Sequence, residues 1–537
     1  MSAWASPKMR PVDVGGASYG RHVPIFRRTS SLTSAVVGVV AAVALVLGGA
    51  MTASAAPAGT SAVPGASTTV LADDPAAVSP RSTDSADSIR AQADAQAKLQ
   101  QALEAARVAS GDAEAFGATV STATPAFTAG NIITDSRFYT GSAMTASQVQ
   151  SFLAAKGSGC SGALCLKNYR QSTYTQAADQ MCGQYVGAAN ETAATIVARV
   201  GQLCGISQKV LLTLIQKESS LVATTNPTTG AYETATGYGC ADTQAVCDKY
   251  YYGFYNQVYN AAWQFKRYLN PPGRTMDFTY FPVGTPTSIQ YNYDTSCGSS
   301  KVTIRNAATA ALYYYTPYQP NAAALRSPYG TGDACSAYGN RNFFYVYADW
   351  FGVPNTAPDQ YFSDVTPTTS QYADIQWMAR LGFSTGAAAA NGTRTYSPTQ
   401  TISRATVAIF LYRYSGLPFT PPATPSFVDV PKTNGAYTAV EWMLANHLIS
   451  VPANKKFNQG AIATRTDLAL WLSAYSGDTL PNPATPSFTD VPTSNPNYRS
   501  IEWMKANGVS TGTVFSPNAQ ITRAVLAAFL HRYYLRP

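Results

Sequence analysis

Two groups of residues in this chain have types and spacings that could do chemistry. The first is a single carboxylate. In residues 211–219, LLTLIQKES, Glu218 follows Leu211 by seven positions and Leu214 by four. That spacing puts it on the apolar face of a helix, with Gln216 and Lys217 directed elsewhere. A carboxyl at the buried end of an apolar stripe has its charged form disfavoured, the condition a general acid for glycosidic bonds requires. The second group is three arginines, Arg404, Arg465 and Arg523, each directly after a hydroxyl residue (Ser403, Thr464, Thr522) placed as a helix N-cap. Capping and packing need no cation in a first helical turn, and a helix N-terminus favours anions. An arginine there works against the local dipole and points to contact with an acidic polymer.

The arginines belong to a motif stated three times. Residues 361–386 begin YFSDV and run through IQWMARLGFSTG. Residues 426–450 read SFVDVPKTNGAYTAVEWMLANHLIS, and residues 487–512 read SFTDVPTSNPNYRSIEWMKANGVSTG. Phe362, Phe427 and Phe488 are 65 and 61 residues apart, as are Trp377, Trp442 and Trp503. A period near 60 means an array of small modules, not one large domain. In each module a Phe-x-Asp-Val turn opens an amphipathic helix, in the first copy with Tyr372, Ile375, Met378 and Leu381 on one face. Gly382 and Gly508 stop that helix in copies one and three. A loop then leads to the hydroxyl cap and a second helix, whose apolar run in copy one is Val407, Phe410, Leu411 and Tyr414. One helix pair is too small to bury its own core, so the three are expected to pack together.

Residues 360–534 resemble the S-layer homology (SLH) family, on the strength of the Phe-x-Asp-Val openings, the Trp-Met pairs and the Thr-Arg-Ala-like helix starts. The resemblance implies three tandem helical modules (360–416, 426–477 and 487–534) in a pseudo-threefold arrangement. It implies non-covalent anchoring to bacterial cell-wall glycans, with the binding arginine at Arg404, Arg465 and Arg523 and the aromatic contact at Trp377, Trp442 and Trp503. The family motif usually ends in Glu where this chain has Thr406, Asp467 and Val525, so only Thr464 and Asp467 keep a capping box. Copy two lacks the loop glycines, which reduces it to a structural role on this reading. The tryptophans sit on apolar helix faces, where packing in the core is the alternative to contact with a ligand.

The N-terminal residues and the cysteines agree on export. Arg27 and Arg28 precede an uncharged run over residues 35–50, and Ala53-Ser54-Ala55 follows as a small-residue cleavage site. That pattern reads as a secretory signal peptide over 1–55, too short for a membrane span. Residues 56–128 read as a disordered spacer holding one Ala/Gln-rich helix. All eight cysteines (Cys160, Cys165, Cys182, Cys204, Cys240, Cys247, Cys297 and Cys335) fall in one segment. An even, clustered count in an exported chain reads as disulfides, paired with nearest neighbours because the loops are short. The formal charge is +8, but the leader carries five basic groups and one acid, leaving 32 basic against 28 acidic. That balance is too mild for a nucleic-acid partner. Charged residues make up 12% of the chain and tyrosine is abundant at 34, a surface suited to carbohydrate. With three histidines in the whole chain, neither a zinc pattern nor a Ser-His-Asp triad is expected. No P-loop or dinucleotide fingerprint occurs, and no cofactor is expected.

The middle segment, 129–353, reads as one cysteine-stapled domain. Thr145 caps a helix through Val149, Phe152 and Leu153, residues 191–203 form a second, and residues 206–220 form the helix that carries Glu218. After it come a polar loop over 224–230, the run Gly237-Tyr238-Gly239-Cys240-Ala241-Asp242 and a Tyr-rich strip. Residues 307–318, AATAALYYYTPY, follow later. The order of these parts resembles the lysozyme-like lytic transglycosylases, in which an apolar helix ends in Glu-Ser, a Gly-rich loop follows, and an Ala-rich helix runs into a Tyr-containing turn. By that resemblance Glu218 is the acid/base, with Ser219, Tyr238 and Tyr315 lining glycan subsites; such enzymes can work with a single carboxylate, and if there is a second, Asp242 and Glu233 are the candidates. The usual Gly-Leu-Met-Gln of that family is absent. The chain as a whole is therefore expected to be mainly α: a disulfide-stapled lysozyme-like α(+β) domain followed by three SLH modules. The expected function is a secreted, wall-anchored enzyme that cleaves peptidoglycan and binds secondary wall polysaccharide. The alternative is a non-catalytic, structural or adhesive glycan-binding surface protein.

Overall fold

The structure is a computed structural model that describes residues 124–240, 247–272, 278–356, 359–388 and 393–536. The leader, the spacer up to residue 123 with its Ala/Gln-rich helix, and Asp242 lie outside the described residues. Among the described residues helices dominate, and the strands form three two-stranded antiparallel pairs.

The middle segment contains α1 (Asp135–Phe138), α2 (Ala146–Lys156), β1 (Arg170–Gln171) paired with β2 (Glu191–Thr192), α3 (Ala193–Cys204), α4 (Gln208–Ser219), α5 (Thr229–Glu233) and α6 (Phe254–Arg267). The hairpin β3 (Pro286–Gln290) and β4 (Ser299–Thr303) follows, then α7 (Ala307–Tyr315), α8 (Ala322–Arg326) and α9 (Gly339–Phe351). Local chemistry sets the helix ends. Thr145 and Gln148 exchange side-chain and backbone hydrogen bonds in a capping box on α2, and Thr192 caps α3. The apolar faces expected for α3 and α4 are buried: Ile196, Val197, Val200, Leu211, Leu214 and Ile215 have no exposed surface. α3 packs on α2 and α6, and α4 packs on α9. The cysteines pair in sequence order, 160–165, 182–204, 240–247 and 297–335, as their short spacings predict. The longest closed loop, from Cys297 to Cys335, removes most unfolded-chain entropy, about 3–4 kcal/mol by loop-closure reasoning.

The C-terminal segment holds α10 (Tyr372–Arg380), the short pair β5 (Ala387–Ala388) and β6 (Arg394–Thr395), and α11 (Arg404–Ser415). It continues with α12 (Tyr437–Ala445), α13 (Arg465–Ser476), α14 (Tyr498–Ala506) and α15 (Arg523–Leu535). The second helix of each copy packs on the first helix of the next: α11 on α12, α13 on α14, and α15 back on α10. The backbone closes the same cycle. Ile402 N–H donates to Ile521 O, Ile521 N–H to Ala463 O, and Ala463 N–H to Ile402 O, at 3.0, 2.9 and 2.9 Å. Tyr414, Tyr475 and Tyr533, each ten residues after its arginine, meet pairwise with ring centroids 5.7–6.2 Å apart. One apolar core spans all three copies. Gly382 and Gly508 leave their helices with φ of 79° and 66°, and His447 holds the same place in copy two at 60°, a left-handed conformation that a residue with a Cβ adopts at a cost.

Candidate functional sites

At the end of α4 the structure brings together much of what the sequence pointed to. Ser219 Oγ donates to Ile215 O and, across the chain, to Ala235 O at 3.0 Å, which ties the helix end to the loop that follows α5. Gly237 and Gly239 have positive φ in that loop. Gln257 of α6 holds it from below, accepting from Thr236 and Tyr238 N–H and donating to Tyr238 O. Tyr238 is half-buried and packs edge-on against Tyr251 at 4.8 Å. Glu233 is exposed on α5.

Three expectations are corrected at this site. Lys217 does not point away: its Nζ is 2.7 Å from Glu218 Oε1, and both side chains are 3% exposed. It also donates to Thr316 Oγ1 at 3.2 Å. Burial lowers the Lys217 pKa, and the Glu218 carboxylate pulls it back up. Gln216 is buried too, its Oε1 accepting from Ala223 N–H. A helix end packed on several sides leaves little room for the segregation of faces that spacing alone implies. Tyr315 is no rim residue. It is 3% exposed, stacks on Phe265 at 4.7 Å and donates its hydroxyl to Thr236 O, beneath the loop it was expected to flank. Its neighbours Tyr313, Tyr255 and Tyr259 are likewise core.

The three arginines share one geometry. Each guanidinium reaches across to the next copy in the cycle and lies between two rings. Arg404 sits over Phe457 and Trp471 at 5.0 and 4.9 Å. Arg465 sits over Phe515 and Phe529 at 4.9 and 4.8 Å, and Arg523 over Tyr396 and Phe410 at 4.7 and 5.4 Å. In each case Nε donates to the backbone carbonyl of the first ring residue, Phe457, Phe515 or Tyr396. The Phe-x-Asp-Val aspartates shape these seams by accepting two backbone N–H groups each: Asp364 from Tyr396 and Ser397, Asp429 from Phe457 and Gln459, Asp490 from Phe515 and Ser516. Those bonds hold the Asp429 and Asp490 carboxyls below the usual carboxylate range against the opposing effect of burial.

The seams differ in charge. Arg404 forms a salt bridge with Asp467, the acid of the α13 capping box. The matching positions beside Arg465 and Arg523 are Val525 and Thr406, neither of which can form one. A second arginine instead stands near each of these. Burial lowers the Arg465 pKa, the positive charge of Arg532 adds to it, and the Asp490 carboxylate opposes both. Arg413 is shifted the same way by burial and by Arg523. Concavities of about 620 and 710 Å³ flank Arg404, the second lined also by His447, Lys456 and Trp471. The ring partners were missed by sequence reasoning, although a signal was present: Phe410, Trp471 and Phe529 each stand six residues after their arginine.

Trp377, Trp442 and Trp503 are corrected from ligand contacts to core. They are 3%, 4% and 1% exposed and pack on His531, on Tyr412 and Tyr475, and on Tyr533. Their area is spent on the helix-to-helix seams.

Among the described residues no group of three His, Cys, Asp or Glu side chains could hold a metal ion, and no helix is long and apolar enough to cross a membrane. Residues 487–524 match the S-layer homology domain family. The match covers the third copy from Ser487 to the first two residues of α15. A domain of this family points to association with cell-wall polymers and the cell surface. Comparison with characterised proteins gives no significant match.

Proposed function

We propose that the C-terminal segment is a pseudo-threefold triplet of SLH modules that anchors an exported protein on the bacterial cell wall by binding an anionic secondary wall polysaccharide. The observation that carries this reading is the repeated arginine seam. A guanidinium clamped between two rings and tied through Nε to a carbonyl is already ordered, so an anion meets its remaining donors without further loss of side-chain entropy. Three such seams on one body favour avid binding of a repeating polymer. The charge pattern ranks them: Arg465 and Arg523 are the principal anion sites, while Arg404, paired with Asp467, offers a more neutral groove.

The test is co-sedimentation with purified walls that retain their polysaccharide. Arg465→Gln and Arg523→Gln should each weaken binding about tenfold, the worth of a lost charge-assisted contact of ~1.4 kcal/mol, and Arg404→Gln should weaken it less. Equal retention of all three variants would remove the arginine seams from the proposal.

A second reading concerns the middle domain. We infer that Glu218 is the candidate acid/base of a lysozyme-like site, because the Ser219 bond to Ala235 sets the positive-φ loop against the helix end that carries it. The buried pair with Lys217 equally suits a structural carboxylate. Soluble muropeptides released from peptidoglycan by the wild type but not by Glu218→Gln would support cleavage. Wall binding without fragments from either protein would leave the non-catalytic, adhesive reading.

A further inference from the structure

A cavity of about 690 Å³ lies between the middle domain and the first module. Its wall includes the C-terminal end of α3 with the Cys182–Cys204 disulfide, the end of α6 at Lys266, the loop after α10 and the end of α11 at Arg413. Three of its lining residues are cations: Lys266, Arg394 and Arg413. Its one acid, Asp179, is engaged elsewhere, accepting from Trp263 Nε1 at 2.6 Å and from the N–H groups of Met181 and Cys182.

Lys266 is the unusual group. It is 5% exposed, and its ammonium donates to the carbonyl of Arg380 at 3.2 Å. Among the described residues no carboxylate pairs with it. Gly205 and Gly382 approach it from the two domains, and a Cβ on either would come within 3.5 or 3.7 Å of Nζ. An ammonium buried without a counter-charge is costly. Arg413 is exposed by contrast: its Nη1 donates to Phe383 O, and the charge facing it is another cation, Arg523. Two phenol groups on the wall, Tyr139 and Tyr361, are buried without a hydrogen-bond partner. An anion entering here would offset the cation charge and find donors already in place.

We propose that this interdomain cavity is a binding site for an acidic saccharide, whose carboxylate or phosphate is held by Lys266 of the middle domain and Arg413 of the first module. The volume suits one or two sugar units. The site adjoins the Arg523 seam through Ser384, which lines the cavity and lies 3.4 Å from Arg523 Nη2. An acidic chain end could therefore run from the seam to the middle domain. The anion chemistry stands on the cavity itself; only the identification of the saccharide as wall polymer rests on the anchoring function.

Burial lowers the Lys266 pKa to about 7, and the Arg380 charge adds to that. An anion raises it again, so binding near neutral pH should take up a proton and weaken as the pH rises.

The experiment is calorimetric titration of the full chain with glucuronic acid, glucose 1-phosphate and, as the neutral control, glucose. At least one acidic sugar should bind, glucose should not, and which acid binds distinguishes carboxylate from phosphate. Lys266→Met should weaken binding at least tenfold while raising the melting temperature of the unliganded chain, because it removes an uncompensated charge. Arg413→Gln should weaken binding without that rise. Arg465→Gln, in a different seam, should leave this site intact even where it lowers wall retention. Binding of neither acid, equal binding of glucose, an unchanged affinity in Lys266→Met, or a lowered melting temperature in that variant would each overturn the proposal.

Discussion

At the scale of single residues, the same side-chain type does different work according to its neighbour. Arg404, Arg465 and Arg523 occupy one sequence position and one ring sandwich, yet Asp467 pairs with the first, Arg532 and Asp490 act on the second in opposite directions, and Arg413 stands beside the third. Asp467→Asn should therefore free Arg404 and raise its share of wall binding, read as a larger loss when Arg404→Gln is combined with Asp467→Asn than when it is made in the parent. The substitution has a second effect, because Asp467 also accepts from Thr464 N–H in the capping box; the amide retains an acceptor there. Lys266 supports a different prediction. Its folded pKa, about 7, lies well below the usual lysine value, so between pH 7 and about 9.5 the unfolded chain binds more protons than the folded one, and stability rises with pH in that window. Lys217 and Lys209 are displaced in the same direction and contribute too. The upward slope of melting temperature with pH should become shallower in Lys266→Met. Above about pH 10 the buried tyrosines, whose pKa values are raised by burial, reverse the sign. An unchanged slope in the variant would mean that Lys266 does not titrate in this range.

At the scale of elements, helix ends decide how well each copy is built. The first helix of copies one and three exits through a glycine, while copy two uses His447 at φ 60°. His447 is exposed, so nothing in the packing opposes its replacement. His447→Gly should stabilise the chain by about 0.5–1 kcal/mol, measured as a shift in the denaturant midpoint. The junction between α1 and α10 carries another testable element. Asp135 bridges α7 and α10, accepting from Ala308 N–H at 2.7 Å and pairing with Arg380 at 2.8 Å. Asp359 accepts from Ser136 N–H beside it. Burial, and then the Asp135 charge, raise the Asp359 pKa to about 6. The folded state thus binds this proton more tightly than the unfolded state, and stability falls as pH climbs from about 4 through 6. Asp359→Asn keeps the acceptor without the charge, so it should be the more stable form above about pH 6 and should flatten the decline. A variant less stable than the parent at about pH 7.5 would contradict this assignment.

At the scale of the whole molecule, the C-terminal segment closes on itself. Because α15 packs on α10 and Tyr534 donates to Asn270 O in the middle domain at 2.6 Å, the last helix completes both the module cycle and part of the junction. Truncation before Ser487 should leave α10 and α13 without their partners α15 and α14 and expose apolar surface from the shared core. Limited proteolysis should then cut within residues 360–486 while the disulfide-stapled segment persists. Protection of those residues in the truncated chain would show that two copies suffice.

The repeated sequence motif, its helix caps and the order of disulfide pairing were legible in the chain, since each depends on near neighbours: a hydroxyl before a helix, an aromatic at a fixed step, two cysteines in one loop. Glu218 and Ser219 were placed at the end of the right helix for the same reason. Tertiary structure alone decided what those residues face. It buried Trp377, Trp442 and Trp503 in the seams, put Tyr315 under a loop, paired Lys217 with Glu218, and set Asp467 against an arginine 63 positions earlier. Lys266 and Arg413 stand 147 positions apart in the chain and line one cavity only because the middle and C-terminal segments pack against each other. Periodicity registers which face of a helix is apolar, but a charge takes its meaning from the surface packed across from it, and that surface comes from elsewhere in the chain.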